Sequence, residues 1–281
     1  MRVLIAWLTA ASLMAASPLV EDDRIVELSG IAESRANPGI LWCHNDSGNL
    51  PWLYAIDQQG AVVASIDPGI PALDLEDIAC ATWQGQHLIA LGDIGDNGAM
   101  IPLRTIHLFT DPVLALKPGH IKQAPLRSIT FCYADGPRDC EALAIDGAEG
   151  AIYLLTKATA TCALYKLNLA SQDSVQIAQR LTGVSLGTKA HHRVTALDIS
   201  PDGRQLLALT PGGVYLAARS EGESWTSAIA NFGEPLRWHE TIRLHQPESA
   251  CFLSDGTIVV SSEGPQPPLL HLSQENPAAT P

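Results

Sequence analysis

The sequence predicts an all-β fold, a five-bladed β-propeller, and three observations carry that expectation. First, a short phrase recurs five times: an acidic or hydroxyl residue, a small apolar run, a turn, then a second apolar run ending in polar residues. The copies are led by Ser29 in LSGIAES, Glu76 in LEDIAC, Glu141 in CEALAID, Thr195 in TALDISPDG and Glu248 in ESACFLSDG, at steps of 47, 65, 54 and 53 residues. A period near fifty built from short runs is that of a propeller blade. Second, the runs are β-branched and aromatic, bounded by Gly, Pro, Asn and Asp, with almost no sustained helical rhythm. Third, every leading run has a partner close behind it: GILWCHND (39–46), HLIALGD (87–93), AIYLLTK (151–157), QLLALT (205–210) and TIVVSSE (257–263).

Residues 1–17 stand apart from this pattern. Arg2, the apolar run 3–13 and the small residues Ala15, Ala16 and Ser17 follow the order of a secretory signal peptide, so an exported chain, periplasmic or secreted, is expected. The run is too short to span a bilayer comfortably, and no later stretch is long and apolar enough to do so. Residues 18–275 read as a single propeller domain and 276–281 as a flexible tail. Third strands are expected at WLYAID (52–57), TIHLFT (105–110), ALYKLNL (163–169), GVYLAA (213–218) and PLLHLS (268–273). Fourth strands fall at AVVASID (61–67), RSITFCY (127–133), SVQIAQRL (174–181) and ETIRLH (240–245). The fifth blade lacks a fourth run, and RIVELS (24–29) is expected to supply it, closing the ring and hiding a bare edge. A sixth blade would have to come from the surplus at 95–127, which reads as a loop insertion instead. Residues 220–240, with Trp225, Phe232 and Trp238, read as an outer strand with ragged ends or a loop folded over one face.

Thirty acidic against 17 basic residues give a net charge of −13. Such a surface repels nucleic acid and anionic membrane and favours cations or neutral ligands. Six cysteines in an exported chain permit disulfides. Cys132 and Cys140 flank the turn ADGPRD and are the pair most easily bridged across a hairpin, while buried free thiols remain the alternative for the other four.

In a propeller the first strand of each blade lines the central channel, so Ser29, Glu76, Glu141, Thr195 and Glu248 converge at one level, with Asp77 and Asp198 next to them. The second runs end at Asn45 and Asp46, Asp93, Lys157, Thr210 and Glu263. Carboxylates facing one another must be hydrated, protonated or neutralised by a cation. Their oxygen chemistry suits Ca²⁺ first and Mg²⁺ second, with Glu76, Glu141, Glu248, Asp93 and Asp46 as candidate ligands. The alternative is that each acid caps a turn in its own blade. Lys157 is the one cation at these positions, either a counter-charge or a binder of an anionic group. Glu76 and Glu141 could act as general acid and base. His44, Asn45 and Glu263 are candidate ligand-binding residues beside the channel, a structural histidine being the other reading of His44. His191 and His192 read as an exposed loop pair.

The phrases ELSGIAES, DLEDIAC, DCEALAID, VTALDISPDG and QPESACFLSDGTIVVSSEG resemble the SdiA-regulated (YjiK-like) family of exported five-bladed propellers, over residues 27–263. They are similar, more distantly, to esterase-like phytase propellers and calcium-activated nucleotidases. The resemblance implies the fold and a bound calcium, and carries over to Glu76, Glu141, Glu248 and Glu263. The chain departs from the family at Asp77, Ala142 and Ser249, where glycine is expected, and HNDSG (44–48) and GDIGDN (92–97) have no counterpart there. Two functions compete. One is a monomeric, calcium-binding module for a small-molecule or protein ligand. The other is a metal-dependent hydrolase of phosphoesters or esters, in which Lys157 holds the substrate anion, with a lactonase as a third possibility.

Overall fold

The computed structural model describes residues 17–115, 119–158, 161–186, 193–232, 235–237 and 244–273. They form an all-β structure of five antiparallel meanders. The first runs β1 (Leu28–Glu33), β2 (Ile40–Asn45), β3 (Leu53–Asp57), β4 (Val62–Asp67). The second is β5 (Leu75–Trp83), β6 (Gln86–Asp93), β7 (Arg104–Thr110) and, beyond a short β8 (Gly119–Lys122), β9 (Arg127–Tyr133). The third is β10 (Cys140–Asp146), β11 (Ala151–Thr156), β12 (Cys162–Asn168) and β13 (Gln176–Val184). The fourth and fifth are β14 (Ala196–Ile199), β15 (Gln205–Thr210), β16 (Gly213–Ala218) and β17 (Pro247–Phe252), β18 (Ile258–Ser262), β19 (Leu270–Leu272).

Turn chemistry fixes the hairpins. Between β14 and β15 the Asp202 carboxylate accepts the Ser200 hydroxyl (2.6 Å) and Arg204 N–H (3.0 Å), and Gly203 takes φ +69°, a conformation that a side chain would disfavour. The first and last strands of the eight-stranded sheet that joins the second and third meanders, β5 and β10, also lie against each other, so this sheet comes nearly back on itself.

Each meander packs on the next. One apolar cluster joins the first and second meanders (Trp42, Leu53, Ile78, Leu91), and others join the second to the third, the third to the fourth and the fourth to the fifth. A further cluster joins the fifth back to the first, through Ile31, Cys43, Cys251 and Val259. Period-two alternation makes this possible: along β5, Ile78 and Cys80 face the first meander while Ala79 and Ala81 face the third. The five leading strands neighbour one another in the same cyclic order. Buried carboxylates lock them together. Asp77 accepts its neighbour Ile78 N–H (2.9 Å), Leu143 N–H (2.8 Å) and Leu197 N–H (3.2 Å), and Asp198 accepts Phe252 N–H (2.8 Å). Asp111 likewise binds the Trp42 indole and the N–H groups of Arg35 and Ala36.

Several expectations need correcting. RIVELS does not supply the missing outer strand. Leu28–Glu33 is an innermost strand, and residues 18–20 do the closing, through Val20 N–H to Pro267 O (2.9 Å) and Leu269 N–H to Pro18 O (2.8 Å). The surplus at 95–127 is not all loop, because β8 adds a parallel strand to the edge of β4, which would otherwise be bare. Within 220–240, Trp225–Ala228 is one helical turn capped by Ser224, with the Trp225 indole donating to Asp146 (3.0 Å); among the described residues the strand contribution is a bridge between Val214 and Leu236. Trp238, most of ETIRLH, His191, His192, residues 1–16 and the tail 274–281 lie outside the described residues.

All six cysteines are free thiols, so the expected Cys132–Cys140 disulfide is absent. Strand alternation explains it. Tyr133 packs in the same cluster as Cys140, which turns Cys132, one residue earlier, to the other face. No helix among the described residues is long and apolar enough to cross a membrane.

Candidate functional site

The antiparallel register puts the starts of β1, β5, β10, β14 and β17 and the ends of β2, β6, β11, β15 and β18 at one end of the molecule. The five leading residues therefore share a level but divide by chemistry. Ser29 donates to Glu76 O (2.9 Å) and Thr195 to Pro247 O (2.9 Å), each tying one leading strand to the next. The three glutamates carry the charge.

Asp46, Asp74 and Glu76 each bring one carboxylate oxygen within 4.8 Å of the others. Asp46 follows β2 and is set by its N–H to Glu27 O (2.8 Å). Asp74 precedes β5. Asp93 positions it by accepting the N–H groups of Leu73 (3.1 Å) and Asp74 (2.8 Å), with Arg104 on its other side at 3.4 Å. GDIGDN then wraps the pair: Ile94 and Gly95 donate N–H to Asp74 O (3.1 and 3.2 Å). Gly95 lies so close that a methyl group there would overlap the Glu76 carboxylate and stand 2.6 Å from Asp74 Oδ2. Ser47 of HNDSG, through its side chain, pulls the Asp74 carboxyl down against the rise that burial imposes. The two segments without a counterpart in the family resemblance thus meet around Glu76.

Charge is crowded here. Burial, then Glu141, Asp46 and Asp74, push the Glu76 carboxyl up to about 10 against the pull of Lys157. Glu141, ion-paired with Lys157, is raised by burial to about 7, Lys157 holding it back while Asp139 and Asp46 add to the rise. Glu248 goes up to about 8 through burial and its contact with the Glu263 carboxylate. Asp46 and Asp74 are also raised, burial being the largest cause in both. Burial works against the Lys157 ammonium, but Glu141, Glu248 and Glu76 outweigh it and hold its pKa above the ordinary value. One ammonium beside five raised carboxyl groups, with Glu263 and Asp139 next to them, leaves an excess of negative charge. Protons or a cation must offset it.

The donor set is all oxygen, which suits a hard divalent ion: Asp46, Asp74 and Glu76 supply three of the six to eight ligands that calcium takes, leaving room for water. Of the residues expected from sequence, Glu76, Glu141, Lys157, Glu248, Glu263 and Asp46 interact with one another here. Three have other work. Asp93 holds the Asp74 loop. Asn45 accepts the N–H groups of Val26 (3.0 Å) and Glu27 (3.1 Å) and donates to Arg24 O (2.7 Å), stapling the chain's entry. His44 is fully buried, its Nδ1 2.9 Å from Asn45 O, and burial lowers its pKa to about 4. Its ring occupies the space that Gly30 leaves open. Asp74 was not among the expected ligands. Its signal was the DLED phrase, in which alternation places Asp74 and Glu76 on one side of the chain.

No protein-family model and no curated protein matches the chain.

Proposed function

We propose that this chain is an exported five-bladed propeller whose acidic end binds a divalent cation, calcium in the first place, and presents it to a ligand or partner. The observation that carries the reading is the convergence of Asp46, Asp74 and Glu76 within 4.8 Å at the mouth of the ring of leading strands. The closure of five meanders through cyclically shared cores supports the propeller, as does the pairing of residues 18–20 with the last meander. A cation would replace the protons that burial and neighbouring carboxylates impose on Glu76 and Glu248, which is the chemical reason for binding. The test is the melting temperature of the purified protein with calcium and with chelator, on wild type and on Asp74→Asn. A calcium-dependent rise that the substitution removes supports the site, since binding to the native state alone raises stability; the same melting temperature for wild type in calcium and in chelator rejects it.

Hydrolysis of a phosphoester or ester is the second reading. It is favoured by Glu141, whose carboxyl lies near neutrality beside Lys157, as an acid–base group requires. Calcium-dependent turnover of p-nitrophenyl phosphate or p-nitrophenyl acetate, abolished by Glu141→Gln, would establish it.

A further inference from the structure

Asparagine followed by glycine occurs once in the chain, at Asn97–Gly98, where GDIGDN leaves β6 for the β6–β7 loop at the acidic end. Asn97, Gly98, Ala99 and Met100 are all exposed. A tight turn holds the pair in its two central positions, closed by Ala99 N–H to Asp96 O (2.7 Å). Asp96 is itself anchored, its N–H donating to Asp139 (3.0 Å) and its carboxylate accepting Ile101 N–H (2.7 Å). Neither the Asn97 side chain nor the Gly98 N–H has a hydrogen-bond partner among the described residues. The other described asparagines differ. Asn45 is buried and bonded through both amide atoms, and Asn49 donates to Glu27 (2.6 Å) and precedes Leu50. Asn37 precedes Pro38, which has no N–H, and Asn168 and Asn231 precede Leu169 and Phe232.

From this we infer that Asn97 is a site of self-modification, converted to aspartate and isoaspartate by attack of the Gly98 backbone nitrogen on its side-chain carbonyl carbon. The Gly98 N–H gives its proton to solvent base, a bond forms from that nitrogen to Asn97 Cγ, and the bond from Cγ to the side-chain nitrogen breaks. The amide nitrogen takes a proton from water and leaves as ammonia. The cyclic imide then adds one water: opening at Cγ gives aspartate, and opening at the main-chain carbonyl gives isoaspartate. Nothing is oxidised or reduced. Glycine favours the attack because no Cβ shields its nitrogen or restricts the rotation that brings nitrogen and carbon together. That rotation breaks the Ala99 N–H to Asp96 O bond alone, and exposed turns open locally at little cost. The product adds a carboxylate beside Asp96, on the loop that carries Gly95 against Glu76 and Asp74, to a chain already at −13. The isoaspartate form also lengthens the backbone of that loop by one carbon. None of this depends on a bound cation.

The experiment is peptide mapping by mass spectrometry of the folded full chain, incubated for increasing times at several pH values, with isoaspartate detected by an isoaspartyl methyltransferase. Wild type is expected to gain the mass of an NH₂-to-OH exchange at Asn97 ahead of every other asparagine, and to yield isoaspartate there. The rate should climb with pH, because the attacking nitrogen must lose its proton. Gly98→Ala should slow the exchange severalfold and still melt with wild type. Gly98 is not among the glycines with positive φ, and a methyl group there meets the Met100 side chain, whose exposed terminal carbon, at 2.8 Å, can swing away. Three results would overturn the assignment. Asn97 could stay intact in the folded chain while a peptide of residues 94–102 is converted, which would show that the turn closes off the attack. Asn45 or Asn49 could convert first, which would remove the selectivity argued from exposure and sequence. Gly98→Ala could convert as fast as wild type, which would exclude the Gly98 nitrogen as the nucleophile that glycine makes accessible.

Discussion

Gly95→Ala isolates the cation site from the rest of the fold. Gly95 is not among the glycines with positive φ, so alanine meets no backbone strain there, and limiting the unfolded chain favours the variant by about 0.4–1 kcal/mol. The methyl group instead falls on the Glu76 carboxylate and 2.6 Å from Asp74 Oδ2, well inside the roughly 3.5 Å of ordinary contact. Two of the three carboxylates must therefore shift by about an ångström, at an overpacking cost of about 1–3 kcal/mol that partly offsets the gain. At a calcium concentration a hundred times the dissociation constant, wild type gains about 2.7 kcal/mol. For a domain of this size that is a rise of roughly 5–11 °C in melting temperature. The variant should melt in chelator within a few degrees of wild type and show almost no rise in calcium, by calorimetry or fluorescence. A full calcium-dependent rise in Gly95→Ala would refute the assignment of Asp74 and Glu76 as ligands.

Three further outcomes follow from the same geometry. Glu76, Glu141 and Glu248 have folded pKa values raised to about 10, 7 and 8, so their contribution is complete below the unfolded value near 4.5 and is lost as pH rises through those values. Urea midpoints measured in chelator should accordingly fall between pH 5 and pH 9, and calcium should flatten the decline. Asp77→Ala leaves Leu143, Leu197 and Ile78 N–H groups without their acceptor in a fully buried setting; denaturant titration should show a loss of about 3 kcal/mol or more, and an effect under 1 kcal/mol would show that Asp77 does not lock the strands. Five of the six thiols are buried and none is paired, so a thiol reagent should modify at most Cys132 in the native protein and all six after unfolding, with reductant leaving the melting temperature unchanged.

Strands were easily read because their signal is local. The apolar runs, the turn residues and the spacing of the leading residues located the first three strands of all five meanders, and the alternation that buries Ile78 and Ala79 on opposite sides is written in the run itself. Long-range pairing was harder. Whether residues 24–29 or 18–20 complete the last sheet depends on which stretch reaches its edge, and β8 joins β4 across more than fifty residues without any mark in its composition. The same limit shaped the site. Repetition exposes Glu76, Glu141 and Glu248, but Asp74 stands two residues ahead of the leading position and meets Glu76 on a loop whose backbone Asp93 holds. His44 and Asn45 attracted notice by residue type, yet burial and backbone partners give them structural roles that no spacing could reveal.

The pairing of residues 18–20 with 267–269 has a consequence for how the molecule comes into being. The two strands are separated by some 250 residues, a loop whose closure costs about 5 kcal/mol in entropy, whereas each meander can zip from its own hairpins. Synthesis is vectorial, so the first strand emerges with its partner still unmade and waits as an open edge until almost the whole chain has followed. During that interval the nascent protein is an incomplete circle with two adhesive lips, liable to capture a neighbour's strand in place of its own. Assembly thus ends with a single late clasp, and the yield of folded protein should depend on keeping nascent chains apart until that clasp has closed.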